Sequence, residues 1–133
     1  MGFNFLVVDD DDVNLYIMTR LVERTAYKTN MITKTDGNAG IDYLKELIEN
    51  NEPLPSLILV DINMPVSDGW EFLDNYRQLT IQQNIDVYIL TSSVFDIDIE
   101  RSKEYEFLSG FISKPITVEK LDEFFSACGA EMA

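Results

Sequence analysis

Six residues in this chain have the types and spacing to do chemistry together. They are Asp9 and Asp10, Asp61 with Asn63 two places on, Thr91, and Lys114. Each follows or ends an apolar run, so each sits where a strand would leave a sheet. If Asp9, Asp10 and Asp61 meet, their charges conflict. Two carboxylates about 4 Å apart repel by roughly 4 kcal/mol at an effective dielectric of 20. Three must raise a pKa or collect a cation. The chain has no histidine and one cysteine, so the donors are oxygens, which suit Mg²⁺, Mn²⁺ or Ca²⁺. The backbone carbonyl of Asn63 is a further oxygen donor. Lys114, aimed by the proline after it, neutralises a carboxylate or a phosphoryl oxygen as a point charge. The Thr91 hydroxyl donates to the same oxygens. A carboxylate nucleophile, a divalent cation, a lysine and a threonine make a phosphoryl-transfer site. Any one part alone has a plainer role, such as a helix cap or a solvated surface charge.

The elements that must hold these groups follow from the hydrophobic pattern. Leu57-Ile58-Leu59-Val60 runs unbroken into Asp61. A continuous apolar run of this kind fits a strand buried on both faces, with helices on both sides. A first strand over 3–8 ends in Asp9-Asp10-Asp11-Asp12. A helix over 13–27 follows, with Ile17, Met18, Leu21 and Val22 as its apolar stripe and Asp11 and Asp12 as charges at its start. A second strand covers 31–35, and Asp36-Gly37-Asn38 reads as a turn. The second helix, over 39–50, has Ile41, Leu44, Leu47 and Ile48 inward. After Asp61, residues 66–69 form a turn in which Asp68-Gly69 is structural. A third helix over 70–79 turns Phe72, Leu73 and Tyr76 inward. Asp86 is read as a loop charge beside a fourth strand over 85–90. A fourth helix over 94–105 is weakened by the β-branched Ile97 and Ile99. A fifth strand covers 110–113. Thr117 caps a last helix with Val118, Leu121, Phe124, Phe125 and Cys128 toward the core.

Strict alternation of strand and helix predicts an α/β fold with right-handed crossovers. The expected form is a flavodoxin-like, doubly wound parallel sheet of five strands, order 2-1-3-4-5, with five helices. In that order the crevice between the first and third strands brings Asp9, Asp10 and Asp61 together. The expectation is one domain over 1–133, without repeat or low-complexity segment.

Composition narrows the function. With 24 acidic against 10 basic residues the formal charge is −14. That disfavours nucleic acid and anionic membrane and favours basic partners. The lone cysteine precludes an internal disulfide, and a reducing cytoplasm is the expected home. No apolar run is long enough to span a membrane, residues 3–8 are too short for a signal-peptide core, and Leu6 stands where a myristoylation motif needs Ser or Thr. A dinucleotide-binding reading fails because no glycine-rich loop follows the first strand.

The chain resembles a stand-alone two-component response-regulator receiver domain over nearly its whole length. The resemblance rests on Val7-Val8-Asp9-Asp10, on Val60-Asp61-Ile62-Asn63-Met64-Pro65 with Asp68-Gly69, on Leu90-Thr91-Ser92, and on Lys114-Pro115, in that order. It implies that Asp61 accepts a phosphoryl group from a phosphohistidine on a sensor histidine kinase or a histidine phosphotransferase. It implies Mg²⁺, with Mn²⁺ as alternative, bound directly by Asp10, Asp61 and the Asn63 carbonyl, and through water by Asp9. Thr91, Ser92 and Lys114 would contact the phosphoryl group. Asn63 and Ser93 stand where family side chains influence hydrolysis of the product, and neither is a base. Inward movement of Thr91 would couple to Phe111, a position where tyrosine is frequent. Phe111 has no hydroxyl, so packing alone would report the state.

The output face would be the fourth helix, fifth strand and fifth helix, with Val94, Phe95, Ile97 and Ile99 supplying apolar surface to an unknown downstream protein. The resemblance implies a switch rather than an enzyme, assisting only its own phosphorylation and dephosphorylation, as a monomer or weak homodimer. With only the short tail 129–133 after the last helix, it would act by partner binding or as a relay intermediate. A haloacid-dehalogenase-type phosphatase would need a second Asp where Asn63 stands, and a lid domain. A phosphorylation-independent binding module would not need Asp9, Asp10, Asp61, Thr91 and Lys114. Asn14, one turn after Asp10, could face the site but is read first as a helix-surface amide. Cys128 is read as core, and Trp70 as either buried or partly exposed.

Overall fold

Alternating side chains along the strands divide the core into two layers. On β1 (Phe3–Val8), Leu6 and Val8 point to one layer while Phe5 and Val7 point to the other. On β3 (Leu57–Asp61), Ile58 and Val60 take the first side and Leu57 and Leu59 the second, and all five residues are buried. A strand with no solvent face must be covered twice, and helices do this. A computed structural model describes residues 3–62, 69–91, 96–130 and 132, leaving aside the side chains of 96 and 97.

The remaining elements are α1 (Asp12–Glu23), β2 (Thr29–Lys34), α2 (Gly37–Glu49), α3 (Gly69–Tyr76), β4 (Asp86–Thr91), α4 (Asp96–Ser102), β5 (Leu108–Ser113) and α5 (Val118–Ala127). All five strands are parallel, in the order β2-β1-β3-β4-β5. This is the flavodoxin-like doubly wound sheet anticipated from the alternation. Helices α2 and α3 cover the first layer, through Ile41, Leu44, Phe72 and Leu73. Helices α1 and α5 cover the second, through Leu15, Met18, Leu121 and Phe125.

The caps correct several boundaries. Asp11 accepts from the N–H groups of Val13 and Asn14, so α1 starts at Asp12 and ends at Glu23, not at 27. Asp36 accepts from Ala39 N–H at 2.8 Å, which makes Asp36-Gly37-Asn38 a cap and first turn rather than a free turn. Thr117 caps α5 as expected, accepting from Lys120 N–H. On α1 the apolar stripe is shifted: Leu15 and Met18 are buried, whereas Ile17 is 49% exposed. The periodicity alone places Ile17 inward, and docking on the sheet turns the helix so that Leu15 is buried instead. Helix α4 is shorter than the span 94–105, and Val94 and Phe95 lie outside the described residues. Trp70 is buried.

Asp86 is not a loop charge but the first residue of β4. Its carboxylate accepts from Cys128 Sγ at 3.1 Å and from Ser109 Oγ at 3.3 Å, tying the end of α5 to β4 and β5. Burial, then the hydrogen bond and charge of Asp86, push the Cys128 thiol pKa up to about 12. Against an ordinary value of about 8.5, the thiolate fraction at pH 8 falls by roughly a thousandfold. The greater nucleophilicity of a more basic thiolate recovers about thirtyfold of that. Alkylation of native Cys128 by iodoacetamide at pH 8 is therefore expected to run tens of times slower than in the unfolded chain. A rate within threefold of the unfolded value would contradict the Asp86 contact.

Candidate functional site

Parallel pairing alone brings the chemistry to one edge. Strands β1, β3, β4 and β5 run the same way, so their carboxyl ends lie side by side. Asp9 and Asp10 follow β1, Asp61 ends β3, Thr91 ends β4, and Lys114 follows β5. Carboxylate oxygens of Asp9, Asp10 and Asp61 lie within 4.8 Å of one another. Asp9 and Asp61 are buried, and Asp10 is half-buried. Lys114 reaches back between the two buried acids, with Nζ at 3.2 Å from Asp9 Oδ2 and at 3.2 Å from Asp61 Oδ2. Its backbone N–H donates to the Thr91 carbonyl at 2.8 Å, which sets the direction of the side chain.

The electrostatics are those of an over-filled acidic pocket. Burial holds the Asp9 pKa above its usual range. The Asp11 N–H, donating to Asp9 Oδ1 at 3.0 Å, and the Lys114 charge oppose the rise, while the Asp61 charge adds to it. For Lys114, burial works against the ammonium, but the Asp61 and Asp9 carboxylates outweigh it and its pKa is raised. One cation shared between two buried carboxylates, with a third acid beside them, leaves net negative charge. An all-oxygen pocket of this kind fits a hard divalent cation.

Thr91 is fully buried at the end of β4. The register pairs Ile89 with Phe111 and Thr91 with Ser113, so Thr91 and Phe111 share a sheet face. Phe111 is partly buried against the layer under α2 and α3. Asn63 and Ser92, both expected at the site, lie outside the described residues, as do Ser93 and Asp68.

Two residues contribute more than their sequence context indicated. Asn14 is not simply a surface amide. It lines a cavity of about 340 Å³ with Asp9, Met18, Leu90, Lys114 and Ile116, which opens beside the acids. The i, i+4 spacing from Asp10 was the available signal. Gly69 is more than a turn residue. A Cβ built on it would stand 2.5 Å from the Asp61 carbonyl oxygen and 2.7 Å from Ile62 Cα. The first turn of α3 thus rests directly on the backbone of Asp61, and no sequence pattern reports that contact.

Comparison with known proteins gives the family and agrees with the fold. The family model for the response regulator receiver domain matches residues 5–126. The probable methanogenesis regulatory protein FilR2 of Methanothrix harundinacea is 29% identical over 119 residues, covering 90% of this chain and 76% of FilR2. Response regulator Rcp1 of Synechocystis sp. is 31% identical over 100 residues, covering 74% of this chain and 68% of Rcp1. The crystal structure of the Mn²⁺-bound form of Rcp1 superposes with a TM-score of 0.71 at 26% identity, over 93% of this chain and 89% of that one. A two component response regulator from Cytophaga hutchinsonii superposes with a TM-score of 0.80 at 29% identity, over 94% of this chain and 95% of its own. With the family match spanning almost the entire chain and the acidic pocket at the expected strand ends, this protein belongs to the response regulator receiver domains of two-component systems.

Proposed function

We propose that all 133 residues act as one phosphoacceptor switch in which Asp61 is the phosphorylated residue. The observation that carries this reading is Lys114 Nζ lying 3.2 Å from both Asp61 and Asp9, with Asp10 completing the acidic cluster. The phosphodonor is a phosphohistidine of a sensor histidine kinase or a histidine phosphotransferase. An Asp61 carboxylate oxygen attacks phosphorus as the P–N bond breaks. The electron pair of that bond stays on the imidazole nitrogen, and the product is an acyl phosphate. Lys114 follows the transferred group, moving from the Asp61 oxygen to a phosphoryl oxygen at little cost in position. The Thr91 hydroxyl donates to a remaining oxygen, and Ser92 also contacts the phosphoryl group.

Asp9, Asp10, Asp61 and the carbonyl of Asn63 would hold Mg²⁺ or Mn²⁺. When bound, such a cation neutralises charge on the phosphoryl oxygens. Support for a divalent cation comes from the all-oxygen donor set and from the Mn²⁺-bound form of Rcp1. Output runs through α4, β5 and α5 to a downstream protein, with Thr91 and Phe111 on one face of the sheet between site and surface. The chain acts as a monomer or weak homodimer in the cytoplasm and catalyses no reaction beyond gain and loss of its own phosphoryl group. No described helix is long and apolar enough to cross a membrane.

Incubation with Mg²⁺ and acetyl phosphate, followed by intact mass, tests the reading. Wild type is expected to gain one phosphoryl group and Asp61→Ala none. Equal labelling of the two would sink the assignment. Asp10→Ala is expected to bind Mg²⁺ at least tenfold more weakly by titration; unchanged affinity would remove the acidic pocket from the metal site.

A further inference from the structure

Helix α4 is held in an unusual way. None of its described side chains, 98–102, is buried, and Ile99 is 40% exposed. It therefore lacks an apolar anchor among the described residues. In its place, the Arg101 guanidinium lies 4.7 Å from the ring centroid of Trp70. Trp70 is 5% exposed and stacks on Tyr105 at 5.7 Å with an interplanar angle of 30°. The Tyr105 hydroxyl donates to Asp74 Oδ1 at 2.7 Å, and Arg77 binds the same oxygen at 2.8 Å while lying 4.6 Å over the Tyr105 ring. A cation over an indole is the strongest of the side-chain cation–π pairs, and burial of the ring strengthens it further. Trp70 in turn follows Gly69, which sits against the Asp61 carbonyl and Ile62 without space for a single carbon.

We propose that Arg101, seated on Trp70, latches α4 to the first turn of α3, so that phosphorylation of Asp61 and release of α4 favour one another. The inference rests on Asp61 being the phosphoacceptor. Asp61 is buried and already hemmed in by Asp9, Asp10 and Lys114. A phosphoryl group adds three oxygens and up to two negative charges to that space. Neighbouring backbone must yield, and Gly69 transmits any shift of β3 to Trp70 because the two backbones have no slack between them. Trp70 and Tyr105 are packed into the core layer, whereas Arg101 is exposed and none of the described side chains of its helix is buried. Arg101 reaches the core through its guanidinium alone, from an exposed position, so this contact is the one that opens. Since the latch closes the unphosphorylated state, removing it raises the population ready to accept the phosphoryl group.

Trp70 is the single tryptophan, so its emission reports directly on the latch. Wild type, Arg101→Gln and Arg101→Lys are incubated with Mg²⁺ and acetyl phosphate. Intact mass and tryptophan emission are followed together. Wild-type emission is expected to change in step with the added mass. Arg101→Gln is expected to start at the emission of labelled wild type and to label at least threefold faster. Arg101→Lys, which keeps a cation over the ring, is expected to stay within twofold of wild type. A merely structural contact predicts no acceleration. Arg101→Gln labelling no faster than wild type, or wild-type emission unmoved by full labelling, would overturn the latch alone. Wild type gaining no mass would overturn the phosphoacceptor reading, and the latch with it.

Discussion

Lys114→Met is expected to lower stability at pH 7 by about 3 kcal/mol, within the range found when one partner of a buried ion pair is removed. Phosphoryl transfer to Asp61 is expected to fall at least a hundredfold. Methionine keeps the length and apolar stem of lysine, so the loss isolates the charge. The Lys114 side chain is 17% exposed, and its partners Asp9 and Asp61 are 1% and 6% exposed, so water screens the pair little. The pH dependence has a definite sign. The Asp9 pKa is raised by burial, so the native state takes up its proton before the unfolded chain does. Its ionised form weighs against folding at pH above that raised pKa, and the penalty is relieved as pH falls through it. Without Lys114 the penalty grows. The gap in stability between wild type and variant is therefore largest at neutral pH and narrows in acid. Lys114 itself has a raised pKa. Its contribution is fully present below the unfolded-state value near 10.5 and is lost as pH rises through the folded value. Urea denaturation of both proteins without divalent metal, from pH 10 down to the acid limit of the folded state, measures this. A gap that does not narrow anywhere below pH 7 would contradict the proposed pairing.

Gly69→Ala is expected to cost about 2–3 kcal/mol, the upper range for overpacking, and to slow labelling of Asp61 by tenfold or more. Two effects compete. Alanine favours a helix over glycine by up to about 1 kcal/mol. Against this, the new methyl would lie 2.5 Å from the Asp61 carbonyl oxygen and 2.7 Å from Ile62 Cα. Those are backbone atoms of the last residue of β3 and of the buried residue after it, and cannot rotate away as a side chain would. The clash wins, and relief comes only by moving the end of β3 or the start of α3. Either movement displaces the proposed nucleophile, and a displacement near 1 Å costs on the order of a hundredfold in transfer reactions. Denaturation together with the acetyl phosphate time course checks both effects. A variant as stable as wild type, labelling at the wild-type rate, would show that α3 does not position Asp61.

The sequence by itself determined the fold class and which described strand ends bring their side chains to one edge. Unbroken apolar runs separated by helical stripes admit few arrangements other than a doubly wound parallel sheet. In such a sheet the carboxyl ends of strands lie at one edge, so Asp9, Asp10, Asp61, Thr91 and Lys114 converge from local pattern alone. Boundaries and facing were less legible, because caps and docking on the sheet, rather than periodicity, set where a helix starts and which side it buries. Leu15 rather than Ile17 is buried for that reason. Asp86 could not be told from a loop charge, since its partners Cys128 and Ser109 arrive from α5 and β5. What only the tertiary structure decided are contacts between residues far apart in the chain or between side chain and backbone. Lys114 bridging two buried acids, Gly69 against the Asp61 carbonyl, and Arg101 on Trp70 are of this kind. Periodicity and propensity describe a residue by its neighbours in sequence, whereas these contacts exist only after parallel pairing has brought separate elements within a few ångströms.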